Sequence, residues 1–481
     1  MLRTLARAWP LLPLALALAY VALRPRLATA PALADVVPPG AVVTARWRTL
    51  PMLDRLWCFG RVPDARPSED LADRHNLPGF PGVDRDGAFH WVLLPRDQRP
   101  DPSLLIVPVS DEQALRARYD LRDGALDETR ALRRYAKHLE VRGPWAALAW
   151  DRDAVRRLGG GGLTLEDRGE DFALALDVPG AVDLTLAQAR EQPWRGIVET
   201  LGGTPASAEY RLDPATGIRT LAYPFGRIVR LKPAWSTARL WAWVQPARIE
   251  VELVARDPAL RAALAAAAGA RGPQALEAPA VAQDAASRVQ PSAWLVVPHA
   301  QGVAALAALL EACGAALPEG LAQGLASGTF AAGIAGGTAG EAGGGLEAFA
   351  FDNAGAPTWT LALRSTGAQA TQHARLLALL LPSTPAPPVP GTEGVIWLGP
   401  EAAGRARGTS PAAQPRVAGA AAAQPPGRVL LAQARMGAAQ VMGLLGPALQ
   451  SGGVLSALGP GALDAALRTD GERVFVTLTR P

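Results

Sequence analysis

Residues 239–256 read RLWAWVQPARIEVELVAR. Apolar Trp241, Trp243, Ile249, Val251 and Leu253 alternate with Arg248, Glu250 and Glu252, the two-residue period of a sheet with one face buried. Gln245-Pro246-Ala247-Arg248 supplies a turn between the two runs, with proline preset for its second position. The stretch is therefore a pair of antiparallel strands. Further strand candidates lie at 88–94, 217–225, 345–351, 358–364 and 473–479.

Around this hairpin one unit recurs: a Pro or Gly turn, an apolar run of strand character, then a stretch with apolar residues three and four apart. It reads PPGAVVTARWRTLPMLDRL at 38–56, PSLLIVPVSDEQALRARY at 102–119 and PWAALAWDRDAVRRL at 144–158. It returns as PSAWLVVPHAQGVAALAALL at 291–310 and PGRVLLAQARMGAAQVMGLL at 426–445. Residues 171–190, DFALALDVPGAVDLTLAQAR, give strand and helix without the leading proline. Recurrence of one strand–helix unit indicates internal duplication, and its irregular spacing favours a pair of homologous halves over a solenoid. The expected fold class is α+β: two related halves, each a largely antiparallel sheet with helices packed on one face.

The halves differ in charge. Residues 291–481 hold 10 basic and 10 acidic side chains, which leaves 72 of the chain's 92 charges in the first 290 positions. An Ala-rich helix after Pro258, followed by Gly272-Pro273, places the boundary near residue 285. The expected division is 1–34 for targeting, 35–285 for a charged first half, and 286–481 for an Ala/Gly-rich second half. Within the latter, 382–393 and 399–427 are Pro/Ala-rich and expected to be flexible or extended.

The sequence pI near 9.4 invites a nucleic-acid reading, but the basic excess sits in one place. Arg3, Arg7, Arg24 and Arg26 all precede residue 35, where there is no acidic residue, and the remaining chain balances at 44 basic against 44 acidic. No nucleic-acid partner is expected. Residues 10–23, PLLPLALALAYVAL, form an uncharged apolar run behind Arg3 and Arg7, the layout of an export signal and shorter than the roughly 20 residues of a membrane span. Ala32-Leu33-Ala34 offers a small-residue cleavage site after Ala34. Without cleavage, residues 10–23 would remain as an amino-terminal anchor in membrane contact. No cysteine follows the run to carry a lipid. The expected location is extracytoplasmic: periplasmic or secreted, or tethered to the inner membrane where the segment is retained. Lys137 and Lys232 are the only lysines, an arginine bias that reads as high-GC codon usage rather than function.

Pro38-Pro39-Gly40-Ala41-Val42-Val43 and the stretch GPWAALAWD at 143–151 are similar to uncharacterised bacterial envelope proteins grouped as a domain of unknown function. The resemblance covers most of the exported chain. It implies an extracytoplasmic α+β fold and implies no activity.

Signatures of catalysis are missing from the sequence. Neither lysine follows glycine, so a nucleotide-binding P-loop is excluded, and Gly159 to Gly162 read as a turn. No serine has glycine two positions to each side, and no His-Glu-x-x-His helix occurs. Cys58 and Cys313 are too few for a disulfide scaffold or a cysteine zinc site. They could pair in an oxidising compartment, two buried thiols being the preferred state. The one metal candidate is the loop-rich stretch of Glu69, Asp70, Asp73, His75, Asp84, Asp86 and His90. There Asp73, His75, Asp84, Asp86 and His90 could hold calcium or a transition metal. An ordinary turn at Asp84-Arg85-Asp86-Gly87 before a strand is preferred.

Thirteen tryptophans against five tyrosines raise the question of an aromatic binding surface. Trp145, Trp150, Trp241, Trp243, Trp294, Trp359 and Trp397 all lie inside apolar runs, so packing on a sheet is expected instead. No catalytic residue and no cofactor is expected. The leading expectation is an exported, noncatalytic envelope scaffold or partner-binding module, its partner an envelope protein or a lipid. The alternatives are a periplasmic carrier of an apolar ligand and an enzyme whose site is assembled from distant residues.

Overall fold

The computed structural model describes residues 37–49, 51–52, 81–95, 103–119, 138–149, 151–163, 165–191, 209–222, 228–269, 293–297, 299–312, 346–352, 359–365, 389–390, 395–398, 427–437 and 462–480. Residues 10–23, Cys58, Glu69, Asp70, Asp73, His75, Trp150, Cys313 and nearly all of 382–393 and 399–427 lie outside them. The chain runs β1 (Val43–Trp47), β2 (Phe89–Leu93), β3 (Ser103–Pro108), α1 (Glu112–Tyr119), β4 (His138–Arg142), β5 (Trp145–Ala149), α2 (Arg152–Arg156), β6 (Phe172–Asp177) and α3 (Val178–Glu191). It continues through β7 (Glu209–Leu212), β8 (Arg219–Ala222), β9 (Ile228–Leu231), β10 (Trp235–Trp243), β11 (Arg248–Ala255), α4 (Pro258–Ala268), β12 (Ala293–Val297) and α5 (Ala300–Ala312). Last come β13 (Leu346–Asp352), β14 (Trp359–Ser365), β15 (Val389–Pro390), β16 (Val395–Leu398), β17 (Val429–Gly437), β18 (Ala462–Thr469) and β19 (Arg473–Thr479). The protein is α+β, mostly antiparallel sheet with a few helices. The strand–helix pairs read at 102–119, 144–158, 171–190 and 291–310 form as β3–α1, β5–α2, β6–α3 and β12–α5. Among the described residues no helix is long and apolar enough to cross a membrane.

The chain separates into two compact units, one of residues 1–41 and 71–164, the other of 42–70 and 165–481. In the first, β2, β3, β5 and β4 lie side by side in that order, all antiparallel. Leu104, Leu105, Ile106 and Val107 of β3 are all fully buried, so this strand is covered on both faces, as its unbroken apolar run requires. The Asp151 carboxylate caps α2 by accepting from the Asp153 amide at 3.0 Å. That start sets Ala154, Val155 and Leu158 into a core with Val92, Ile106 and Ala147.

In the second unit twelve strands form one antiparallel sheet in the order β15, β16, β14, β13, β12, β17, β18, β19, β11, β10, β6, β1. Strands from both sides of residue 285 share it, since β11 pairs with β19. Val389 and Pro390, inside a stretch expected to be flexible or extended, pair with β16. One face is apolar: Leu253, Val474, Val476, Leu431 and Leu467 pack against α4 and α5 through Leu260, Leu264, Ala305, Ala308 and Leu309. Helix α4 begins where Asp257 accepts from the amides of Ala259 and Leu260 at 2.9 and 3.1 Å, with Pro258 at its first position. Strands β7, β8 and β9 form a separate small sheet in this unit.

The hairpin at 239–256 forms, with two corrections. The connection is residues 244–247, with a cis Gln245–Pro246 peptide, and Arg248 already belongs to β11. The register sets Trp241 opposite Glu250 and Trp243 opposite Arg248, so the tryptophans share the charged face and not the face of Ile249, Val251 and Leu253. Alternation along each strand was legible, but the parity between them depends on turn length, and a one-residue shift exchanges the faces.

Candidate functional site

The charged face of the second unit's sheet carries its densest polar chemistry. Strand pairing aligns Arg46 with Ala173, Ala173 with Trp241 and Trp241 with Glu250. The same rows continue with Glu252 beside Phe475 and Phe475 beside Arg468. Small Ala173 and Ala175 leave room above β6, and residues 165–170 occupy part of this face. The Trp241 indole N–H donates to the Glu166 carbonyl at 3.1 Å, and Arg46 donates to that same carbonyl at 2.9 Å. Arg46 and Glu170 form an ion pair with both side chains buried, the Arg46 Nε reaching Glu170 Oε1 at 2.9 Å.

Arg168, carried by the same segment, lies with its guanidinium carbon 3.7 Å from the Trp241 ring centroid. It donates to Glu250 at 3.1 Å and lies 3.9 Å from Glu252. Glu252, 4% exposed, also accepts from Arg239 at 2.8 Å and faces Arg473 at 3.8 Å. Glu250 pairs with Arg248, whose guanidinium in turn lies over Trp243 at 5.2 Å. Three guanidinium groups surround this buried carboxylate and offset its lost hydration.

Arginines and an aromatic ring also meet further along this face. Arg428, just ahead of β17, lies 3.5 Å from the Phe475 ring centroid, and Arg473 reaches the same ring at 5.4 Å. Among the described residues no carboxylate ion-pairs with Arg428. Burial, then the like charge of Arg168, holds the Arg428 pKa below the usual arginine value. Burial and Arg428 do the same to Arg468. At the far end Asp464 accepts two bonds from Arg435, at 2.7 and 2.9 Å, a bidentate pair that closes the row.

The same unit holds a smaller polar cluster. Buried Arg219 of β8 donates to Asp183 of α3 at 2.8 and 3.2 Å, and Tyr210 of β7 donates to Asp183 at 2.6 Å, which clasps the small sheet to the helix. Burial and that hydrogen bond push the Tyr210 hydroxyl up to about 12. A phenol held this way serves as a donor, not a base.

Of the residues singled out as metal candidates, Asp84 accepts from the Asp86 amide at 3.0 Å, a local turn ahead of β2. His90 is buried within β2, edge-on to Trp145 at 5.5 Å between ring centroids. Among the described residues no three histidine, cysteine, aspartate or glutamate side chains gather as a metal would require. Trp241 and Trp397 are buried as expected for sheet packing. The arginine–glutamate rows were not singled out from the sequence. Their signal is charge at every second position within one strand run, at Arg248, Glu250 and Glu252, and isolated arginines at the ends of apolar runs, Arg468 and Arg473, inside the low-charge half. No known protein-family profile, curated protein or solved structure matches this chain.

Proposed function

We propose that this chain is an exported, noncatalytic protein of the cell envelope that works as a scaffold or partner-binding module, with the charged face of the second unit as its binding face. The observation that carries this reading is the lattice of Arg168, Arg239, Arg248 and Arg473 around Glu250 and Glu252. Guanidinium groups are fixed cations that present several donors in one plane, so the lattice holds and orients charge. Such a surface recognises a partner of complementary charge. The apolar-carrier alternative draws less support, because Val303, Ala305 and Ala307 of the low-charge half are fully buried on α5.

This reading retains the expected duplication of the chain in two related halves, which rests on the recurrence of the strand–helix unit in the sequence. It also retains export through residues 10–23, and kinship with the envelope proteins that 38–43 and 143–151 resemble. Native mass spectrometry of the protein purified gently from its own envelope tests it. A stoichiometric envelope protein retained on the chain, with an intact mass lacking residues 1–34, is the expected result. A lipid-sized adduct on an otherwise lone chain would favour the carrier instead.

A further inference from the structure

The small sheet of the second unit keeps an open edge. Among the described residues β7 has one neighbour, β8, and three of its four residues are exposed. The bond from the Asp213 amide to the Ile218 carbonyl, at 2.9 Å, sets the phase of this ladder. Glu209 and Arg211 accordingly turn their amides and carbonyls toward β8, and Tyr210 and Leu212 turn theirs to the open side. The two exposed large apolar side chains among the described residues, Leu212 at 45% and Ile228, both lie on this sheet. Glu209 and Arg211 share one face of β7, both exposed, and meet only loosely at 3.8 Å.

We propose that β7 pairs with β7 of a second copy of this chain, antiparallel and centred on Tyr210, joining two small sheets into one. Charge selects both the partner and the register. About a two-fold axis at Tyr210, Glu209 stands across from Arg211 of the second copy and Arg211 across from its Glu209, so each charge meets its complement. The ladder phase puts these pairs at the non-hydrogen-bonded positions, where opposed side chains are closest, while the two Tyr210 residues exchange amide and carbonyl bonds. Leu212 falls diagonal to Tyr210 of the second copy, within side-chain reach. An axis at Arg211 would instead set Arg211 against itself and Glu209 against Asp213, like charge in both places. Other edges fit a second copy less well. Strand β15 carries Pro390, which blunts an edge, and β9 has Arg230 with no acidic residue to match it. On β4 the same Glu-x-Arg spacing is satisfied within the chain, Arg142 donating to Glu140 and to the Leu158 carbonyl, each at 2.6 Å. Strands this short bury little area, so the dimer is weak and concentration-dependent. It makes no use of the charged face and stands apart from the binding-face reading.

Sedimentation velocity of the full chain over a wide concentration range tests the pairing. A monomer–dimer equilibrium is expected, weakened about tenfold by Arg211→Glu and by Glu209→Arg, each of which sets like charges opposite one another at both ends of the pairing. Both substitutions in one chain exchange the charges and should restore it. Mixing the two single variants should restore it as well, because one then presents two glutamates and the other two arginines. Both side chains lie at the surface, so the fold is not at stake, and thermal melts of each variant check that. A chain that stays monomeric throughout, association unchanged in the single variants, or no recovery in the double variant and the mixture overturns the proposal. A monomer that retains a different protein, lost with Arg211→Glu, assigns the edge to another partner and overturns it too. None of these outcomes bears on the charged face, whose partner native mass spectrometry reads separately.

Discussion

Arg168 and Trp241 hold each other in place: the guanidinium carbon lies 3.7 Å from the ring centroid, while the indole N–H fastens to the backbone of Glu166, two residues before that arginine. The tryptophan thus binds the crossing segment twice, once by its face and once by its edge. Replacing Trp241 with Phe should keep most of the face contact and lose the indole bond, costing about 1 kcal/mol. Trp241→Ala should cost about 3–5 kcal/mol, since the side chain is 1% exposed. Urea unfolding midpoints check both, and a Trp241→Phe variant as stable as the parent chain would count against the edge bond.

The buried Arg46–Glu170 pair answers differently to single and double replacement. Glu170→Gln leaves the Arg46 charge buried without its carboxylate and should cost about 3 kcal/mol. Replacing both residues with leucine or methionine should recover much of that loss, because the desolvation of two ions disappears with them. A double-mutant cycle in urea measures the coupling, and strictly additive losses would show that the pair does not act as a unit.

His299 makes the second unit sensitive to mild acid. Its Nδ1 accepts from the Gly302 amide at 2.9 Å, so the proton sits on Nε2, which donates to the Leu430 carbonyl at 3.2 Å. Burial lowers its pKa below 6.5, against the opposing pull of the Leu430 carbonyl. The unfolded chain therefore takes up the proton first as pH falls. The contribution is fully present above the unfolded value near 6.5 and is lost as pH drops from there toward the folded value. Asparagine can accept the same amide bond without titrating, so His299→Asn should flatten the stability difference between pH 5 and 7. Thermal melts across that range check it; parallel curves for the two proteins would exclude His299 as the source.

Two glycines separate backbone conformation from packing. Gly40 and Gly82 have φ of +77° and +75°, yet a Cβ at Gly40 meets nothing within 4 Å, whereas one at Gly82 would lie 2.2 Å from the Asp111 carbonyl oxygen. Gly40→Ala should cost about 1 kcal/mol for the left-handed backbone alone. Gly82→Ala should cost clearly more, because backbone on both sides must move. Denaturation of the two variants side by side tests the difference.

The hairpin at 239–256 and the strands near 88–94 and 473–479 were legible because alternation is a local property of the chain. What brings them together was not. The pairing of β11 with β19 joins residues more than 200 positions apart, and nothing local in either strand names its partner. The same limit hid the candidate site. Arg468 and Phe475 come from two strands, and Arg428 and Arg168 from the connections between strands, so their convergence exists only after the sheet has formed. Asp84 and Asp86, by contrast, are close in sequence and drew attention for that reason, while in the fold their contact is an ordinary turn.

The central claim is that Arg428, at one end of the charged face, is held for a partner and not for the fold. Comparing the urea midpoint of the unliganded chain with that of Arg428→Gln tests it most directly. If Arg428 is held among like charges for a ligand, its removal relieves repulsion from Arg168 and Arg473 and offsets the lost contact with Phe475, so the midpoint stays level or rises. A loss of about 2 kcal/mol or more would contradict the claim and make Arg428 a structural residue.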